Sequence, residues 1–125
     1  MIKPYPLSQL TAEVDLVPQA LISGSLSDLA KQHGWALEEG EDDLDSFVGA
    51  AFQLGLSLHA DFDGRTPFAL MRYKGHPPAT ATIYLPFQVQ DEKAIAKAVG
   101  HILKELHLSQ RLLWQRRHVR FERVD

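Results

Sequence analysis

The sequence predicts a two-layer α+β domain, in which an antiparallel sheet of about four strands carries two helices on one face. Three observations lead to this fold class. Apolar residues recur at every second position over residues 48–62, as they do in a strand. Two further segments, 68–73 and 79–85, are rich in strand-forming residues and are separated by turn residues. Residues 26–33 and 91–107 carry the caps and apolar stripes of amphipathic helices.

Residues 1–24 are predicted to form an N-terminal arm that packs on a single domain made of residues 25–125. Three prolines exclude a long helix from this arm, because proline lacks the backbone N–H donor and clashes with the preceding turn. Its scattered apolar residues indicate that it packs on the domain, and a short edge strand is predicted near residues 19–23.

The first helix is predicted over residues 26–33. Ser25 is a favourable N-cap, since its hydroxyl oxygen can accept a hydrogen bond from an unpaired N–H of the first turn. Asp28 lies near the positive end of the helix dipole, and Gly34 is a natural end for the helix.

Residues 47–62 allow two interpretations. All their even-numbered positions from Val48 to Phe62 are apolar, which predicts a strand that ends at the Asp63-Gly64 turn. The alternative is a helix over residues 43–54, capped by Asp42 or Asp43 and ended by Gly55. The apolar stripe of that helix would consist of Leu44, Phe47, Ala51 and Leu54. We prefer the strand, because the even-numbered pattern continues unbroken through the end of the alternative helix.

The second half of the chain predicts a meander followed by a helix and a last strand. Residues 68–73 and 79–85 are strands joined by the turn at 74–78. Asp91 caps a helix that runs to about residue 107. A final strand is expected within residues 111–122.

Charge is divided unevenly along the chain. Residues 1–63 contain eleven acids and two bases, and residues 64–125 contain eleven bases and five acids; these sums of −9 and +6 give the net charge of −3. We call two concentrations the acidic block and the basic block. The acidic block is Glu38, Glu39, Glu41, Asp42, Asp43 and Asp45. The basic block is Arg111, Arg116, Arg117, Arg120 and Arg123. Such separation favours recognition of a charged partner or of a second copy of the chain.

Several chemistries lack their motifs. The chain has no cysteine, which removes disulfides, thiol nucleophiles and thiolate metal sites. It also lacks the Gly-x-Ser-x-Gly elbow, the phosphate-binding glycine patterns and the His-Glu-x-x-His zinc motif. The start of the chain lacks the continuous apolar core of a signal peptide, and no apolar run approaches the length of a membrane span. We therefore expect a soluble, cytoplasmic, non-catalytic protein without a cofactor and without a membrane partner.

One pattern points to a metal. His59, Asp61 and Asp63 alternate along the predicted strand, so their side chains would project from one face, and an imidazole with two carboxylates can bind a divalent cation. The same alternation arises on the polar side of any half-buried strand, and we prefer that explanation.

The basic block allows a nucleic-acid interface. The segment from Trp114 to Phe121 mixes aromatic residues with arginines, a composition that suits contacts to phosphates and stacking on bases. The simpler explanation is that the arginines are solvated or pair with the acidic block of the same chain.

The leading functional hypothesis is a non-catalytic protein-interaction module, such as a small inhibitor of the immunity or antitoxin type, or an assembly subunit. It would use the acidic block to bind a protein with a basic surface, or a second copy of itself in a homodimer. Contact with nucleic acid through Arg111, Arg116, Arg117 and Arg120 is the second hypothesis. A metal-dependent hydrolase built on His59, Asp61 and Asp63 is the third.

Overall fold

A single antiparallel sheet of eight strands organises the chain. The computed structural model describes residues 2–43, 45–117 and 120–123, with side chains through Arg116. The strands are β1 (Ile2–Tyr5), β2 (Leu16–Ser23), β3 (Glu38–Glu41), β4 (Ser46–Leu54), β5 (Thr66–Tyr73), β6 (Thr80–Pro86), β7 (Leu112–Arg117) and β8 (Arg120–Arg123). Their order across the sheet is β1-β4-β5-β6-β2-β7-β8, and β3 pairs with β4 beside β1. The α+β class is confirmed, but the expected number of about four strands is wrong. The N-terminal segment and the acidic block supply additional strands, and the predicted last strand is a hairpin.

Helices cover both faces of the sheet. The helices α2 (Leu26–His33) and α3 (Glu92–Glu105) bury Leu29 and Ile102 in the larger core cluster on one face. The predicted pair of helices on one face is therefore present. A third helix, α1 (Leu7–Glu13), buries Leu7 and Leu10 in a second cluster on the opposite face.

The strand interpretation of residues 47–62 is correct as far as Leu54, and the helix over 43–54 is wrong. Its even-numbered residues face the larger cluster, and Phe47 and Ala51 face α1, so both sides of β4 are buried. Beyond Leu54 the chain leaves the sheet, but Leu56, Leu58 and Phe62 still pack against the larger cluster. The alternation of apolar residues thus continues beyond the end of the strand, because these residues pack against the same core although they are not part of the sheet.

Within residues 2–23, β1 and β2 are strands of the sheet and α1 packs on one of its faces. The strand β2 lies between β6 and β7, and Pro18 lies in the part of β2 that pairs with β6 alone within the described residues. Pro18 is accommodated because a register shift between Pro18 and Ala20 inserts Gln19 as an extra residue.

The predicted caps of the two longer helices are present. The Ser25 hydroxyl oxygen accepts a hydrogen bond from the Asp28 N–H at 3.4 Å, and Gly34 ends α2 with φ of 74°. The Asp91 carboxylate accepts one from the Ala94 N–H at 3.0 Å at the start of α3. These local signals placed both helices within one or two residues of their observed bounds.

Small residues let α1 lie close to the sheet. Gly49 is opposite Met71 in β5, with Ala51 and Ala69 next along the two strands on the same face. A Cβ atom at Gly49 would lie 2.5 Å from the carbonyl oxygen of Leu70 and 2.7 Å from Cγ of Met71. Because the first of these atoms is backbone, the contact cannot be relieved by a side-chain rotation.

We expect Gly49→Ala to lower the free energy of unfolding by about 1–3 kcal/mol, since the added methyl group overpacks a fixed backbone contact. The matched control is Gly100→Ala in α3, where nothing lies within 4 Å of the added atom. That change should raise stability by about 0.5–1 kcal/mol, because glycine weakens a helix interior. Chemical denaturation measures both, and equal effects of the two substitutions would contradict the packing argument.

Candidate functional site

The order of strands places the two charged blocks at opposite edges of the sheet. The acidic block begins in β3, which pairs with the outer edge of β4, and most of the basic block lies in β7 and β8 at the other edge. Five strand spacings separate β3 from β7, or about 24 Å along the sheet at ~4.8 Å each. This distance is far beyond the ~4 Å of an ion pair. Among the described side chains, Arg116 of β7 makes no ion pair with the acidic block; the side chains of Arg117, Arg120 and Arg123 lie outside the described part, so pairing by them stays a prediction.

Glu38 has a structural role within the acidic block. Its carboxylate accepts hydrogen bonds from the backbone N–H groups of Leu7 at 2.6 Å and Ser8 at 3.3 Å. These N–H groups belong to the first turn of α1, where they have no partner within the helix. Pro6 precedes this turn and offers no side-chain cap, so Glu38 supplies the cap from a distant strand.

Asp42 and Asp45 hold the turn between β3 and β4. The Tyr73 hydroxyl donates a hydrogen bond to Oδ2 of Asp42 at 2.5 Å, and the Asp45 N–H donates one to Oδ1 of Asp42 at 3.3 Å. Asp45 in turn accepts a hydrogen bond from the Ser46 N–H at 2.7 Å. Half of the predicted partner-binding carboxylates therefore bind the chain's own donors.

The phenols near this turn are held in their protonated form. Burial raises the pKa of Tyr73, and the hydrogen bond to Asp42 and the charge of that carboxylate raise it further. Burial raises the pKa of Tyr84 to about 12 against a smaller opposing effect of a hydrogen bond with Thr82. These two rings contact each other edge to face, with centroids 6.3 Å apart.

Glu39, Glu41 and Asp43 remain available for a partner. They are exposed, and within the described part of the chain their carboxylates make no hydrogen bond or ion pair. Glu39 is opposite Val48, which is opposite Arg72, so the glutamate and the arginine project from the same face of the sheet. Glu39 and Glu41 line a shallow cavity of about 470 Å³ together with Arg72 and Lys74.

The basic block is also only partly available. Arg111 donates a hydrogen bond from Nη1 to the Ser23 carbonyl oxygen at 3.5 Å and is half-buried, so it ties the end of β2 to the 3₁₀ turn at Ser109–Arg111. Arg117 and Arg120 are opposite each other in the hairpin of β7 and β8, and their side chains lie outside the described part. Trp114 of β7 is 37 % exposed.

The predicted metal ligands do not share a strand face. His59, Asp61 and Asp63 lie in the irregular segment after β4 ends at Leu54. His59 Nδ1 accepts a hydrogen bond from the Asp61 N–H at 3.0 Å, and it lies 3.6 Å from Oδ2 of Asp61. Among the described residues, no group of three or more His, Cys, Asp or Glu side chains is arranged to hold a metal ion.

A second cavity was not expected from the sequence. It is a groove of about 760 Å³ between β2, β7 and the first turns of α3. Its apolar lining includes Phe87, which is 56 % exposed. The sequence contains one sign of this groove. Pro18 cannot donate a hydrogen bond to a neighbouring strand, and β2 is left without β7 beside it at this position within the described residues.

Comparison of the chain with protein-family models, with curated proteins and with solved structures finds no match. None of the helices in the described part of the chain has the length and apolar character needed to cross a membrane.

We expect Glu38→Ala to lower the free energy of unfolding by about 1–2 kcal/mol, because two N–H groups of α1 lose their acceptor. Glu39→Ala, one residue further along β3, should change stability by less than about 0.5 kcal/mol. Thermal or chemical denaturation compares the two. Similar losses in both variants would show that Glu38 is not a special cap.

The raised pKa values of Tyr73 and Tyr84 predict that the free energy of unfolding falls at alkaline pH. The folded state keeps the protons of Tyr73 and Tyr84 above the ordinary pKa of 10.0. Their contribution to stability is therefore complete below that pH and is lost as pH rises through the folded-state pKa values. Asp42→Asn should lower the pKa of Tyr73, although burial keeps it above the ordinary value.

Ultraviolet absorbance of tyrosinate during alkaline titration measures this shift, and Tyr73→Phe assigns it. The matched control is Glu13→Gln, since Glu13 accepts a hydrogen bond from the Tyr5 hydroxyl at 3.0 Å and helps to raise the pKa of Tyr5 instead. An Asp42→Asn protein that titrates like the original would contradict the assigned interaction.

Proposed function

We propose that the protein is a non-catalytic interaction module that binds a basic surface of a partner protein through its acidic edge. We define the acidic edge as Glu39, Glu41 and Asp43. The observation that carries the proposal is the placement of these three exposed, unpaired carboxylates at the sheet edge opposite the basic strands. A small inhibitor or an assembly subunit would use such a surface.

The charge separation suits fast and salt-sensitive recognition. Carboxylates at one edge attract a basic partner during diffusional encounter, and the strand order places most of the basic block at the other edge. Arg72 and Lys74 lie on the inner side of the two glutamates, across β4. They favour approach of a basic partner from the outer edge and from the turn that holds Asp43.

The homodimer stays a prediction, and the positions of the charges restrict how two copies could meet. Contact between the same edges of two copies would bring like charges together, because a two-fold axis relates identical surfaces. In a dimer held by opposite charges, the acidic edge of each copy would contact the basic edge of the other. This requires the two copies to lie side by side in antiparallel orientation.

Contact with nucleic acid is a second candidate, and the exposure of Trp114 beside Arg116 in β7 favours it. Proteins that bind single-stranded nucleic acid stack bases on aromatic rings and contact the phosphates with nearby basic side chains. Retention of an oligonucleotide at low salt that is lost in Trp114→Ala and in Arg116→Ala would favour this function over the first.

Affinity capture from the cells that make the protein, followed by affinity measurements at two salt concentrations, tests the main proposal. We expect a partner recovered in stoichiometric amount whose affinity falls as salt rises. Glu39→Lys with Asp43→Lys should weaken binding by about tenfold or more, as charge reversal at a complementary surface does.

The matched control is Asp28→Lys with Asp63→Lys, which changes the net charge equally at exposed positions outside the acidic edge. It should bind almost as well as the original chain. Equal affinity of the two double variants would overturn the proposal, provided that both melt like the original protein.

A further inference from the structure

The strands β2 and β7 are paired over only part of their lengths. The strand β7 is paired with β2 only along Ala20–Ile22, although β2 begins at Leu16. Within the described residues, Leu16–Gln19 therefore has β6 on one side and no strand on the other. Beyond Gln115 the strand β7 is paired with β8 alone. The groove of about 760 Å³ lies where the pairing of β2 with β7 ends.

The groove has an apolar lining and an open side. Val17 of β2, Val89 of the segment after β6, and Ile95 and Ala96 of α3 contribute apolar surface. Phe87 also lines it and is 56 % exposed, the largest exposure of any large apolar side chain in the described part. The volume is within the roughly 300–1,000 Å³ of sites that bind small molecules. The exposed phenylalanine extends the apolar surface that an occupant of the groove would cover.

Gln19 gives independent evidence of a ligand. It is the inserted residue of β2, it is only 3 % exposed, and it lines the groove. Its side chain makes no hydrogen bond within the described part of the chain. Its carboxamide is not among the fully buried, unpaired side-chain groups of the described part, so it is open to the groove, where a peptide group would supply both a donor and an acceptor. Gln90 and Gln115 line the same groove and offer two more carboxamides.

The charges around the groove specify the occupant further. Lys93 of α3 and Arg116 of β7 both line it, and neither makes an ion pair within the described part. Glu92 also lines the groove, but it has an interaction of its own. Two cations beside an apolar surface favour an occupant that carries a carboxylate. They disfavour two copies meeting groove to groove, because four cations would then converge.

We propose that this groove binds an extended peptide segment of a partner protein, in which an apolar side chain lies next to an aspartate or glutamate. The apolar side chain covers Phe87 and Ile95, the peptide groups bind the carboxamides of Gln19 and Gln115, and the acid pairs with Lys93 or Arg116. The inference is independent of the acidic edge, which lies at the opposite side of the sheet and attracts the opposite charge.

Selection from a random peptide library displayed on phage, with the whole chain immobilised, tests the inference. We expect enrichment of peptides that combine an apolar residue with a neighbouring acid. Lys93→Glu with Arg116→Glu should weaken the selected peptides by about tenfold or more, as removal of two charge-assisted contacts does. The matched control, Lys97→Glu with Lys104→Glu, reverses two exposed lysines that do not line the groove and should leave binding unchanged.

Gln19→Leu separates binding from folding. The substitution removes a carboxamide that makes no hydrogen bond with a described residue and keeps a side chain of similar size, so the melting temperature should change little while affinity for the selected peptide falls. A variant that loses both stability and affinity would show that Gln19 is only structural.

Three outcomes would overturn the inference: no enrichment, enrichment of peptides without acids, or affinity that the groove variants do not change. Enriched basic peptides that are lost in Glu39→Lys with Asp43→Lys would overturn it while supporting the acidic edge. Failure of the acidic edge alone would leave the groove result intact.

Discussion

Two strands share the outer edge of β4, and the rest of this side of the molecule depends on that arrangement. The strand β1 pairs with residues 51–54 of β4 and β3 pairs with residues 46–49, so the two strands follow each other along one edge. The chain leaves β1 directly into α1, which must then lie on the face of β4 and β5. Glu38 at the start of β3 is consequently close enough to cap α1. The register of this edge therefore determines which carboxylates the structure uses internally and which it presents to solvent.

The opposite side of the sheet follows from a different constraint. A proline within β2 cannot donate a ladder hydrogen bond, and the inserted Gln19 alters the strand's direction and twist. Pairing with β7 begins only after this irregularity, which leaves the groove beside α3. The groove is thus a consequence of where pairing starts, and its residues come from four separate elements. The sheet holds the groove and the acidic edge apart as two surfaces of opposite electrostatic preference.

The candidate surfaces were predictable in part. The charge separation along the sequence suggested a dipolar molecule, and the strand order places the two blocks at opposite edges. Which acids are available was not predictable, because Glu38 and Asp42 differ from Glu39 only in donors that come from distant parts of the chain. The three residues offered as metal ligands failed for a related reason. Their alternation implied a strand, but residues 55–65 form bends and turns outside the sheet.

Local chemistry in the sequence determined the elements. Caps at Ser25 and Asp91, the glycine after α2, and the period of two in β4 each depend on residues a few positions apart, and such interactions form wherever the segment lies. The tertiary structure decided what depends on distant segments: the sharing of an edge by β1 and β3, the place of β2 in the sheet, and the groove beside β7. Backbone pairing between strands depends little on side-chain identity. A single sequence therefore leaves the choice of partner strands open, and only the collective burial of both faces of the sheet decides it.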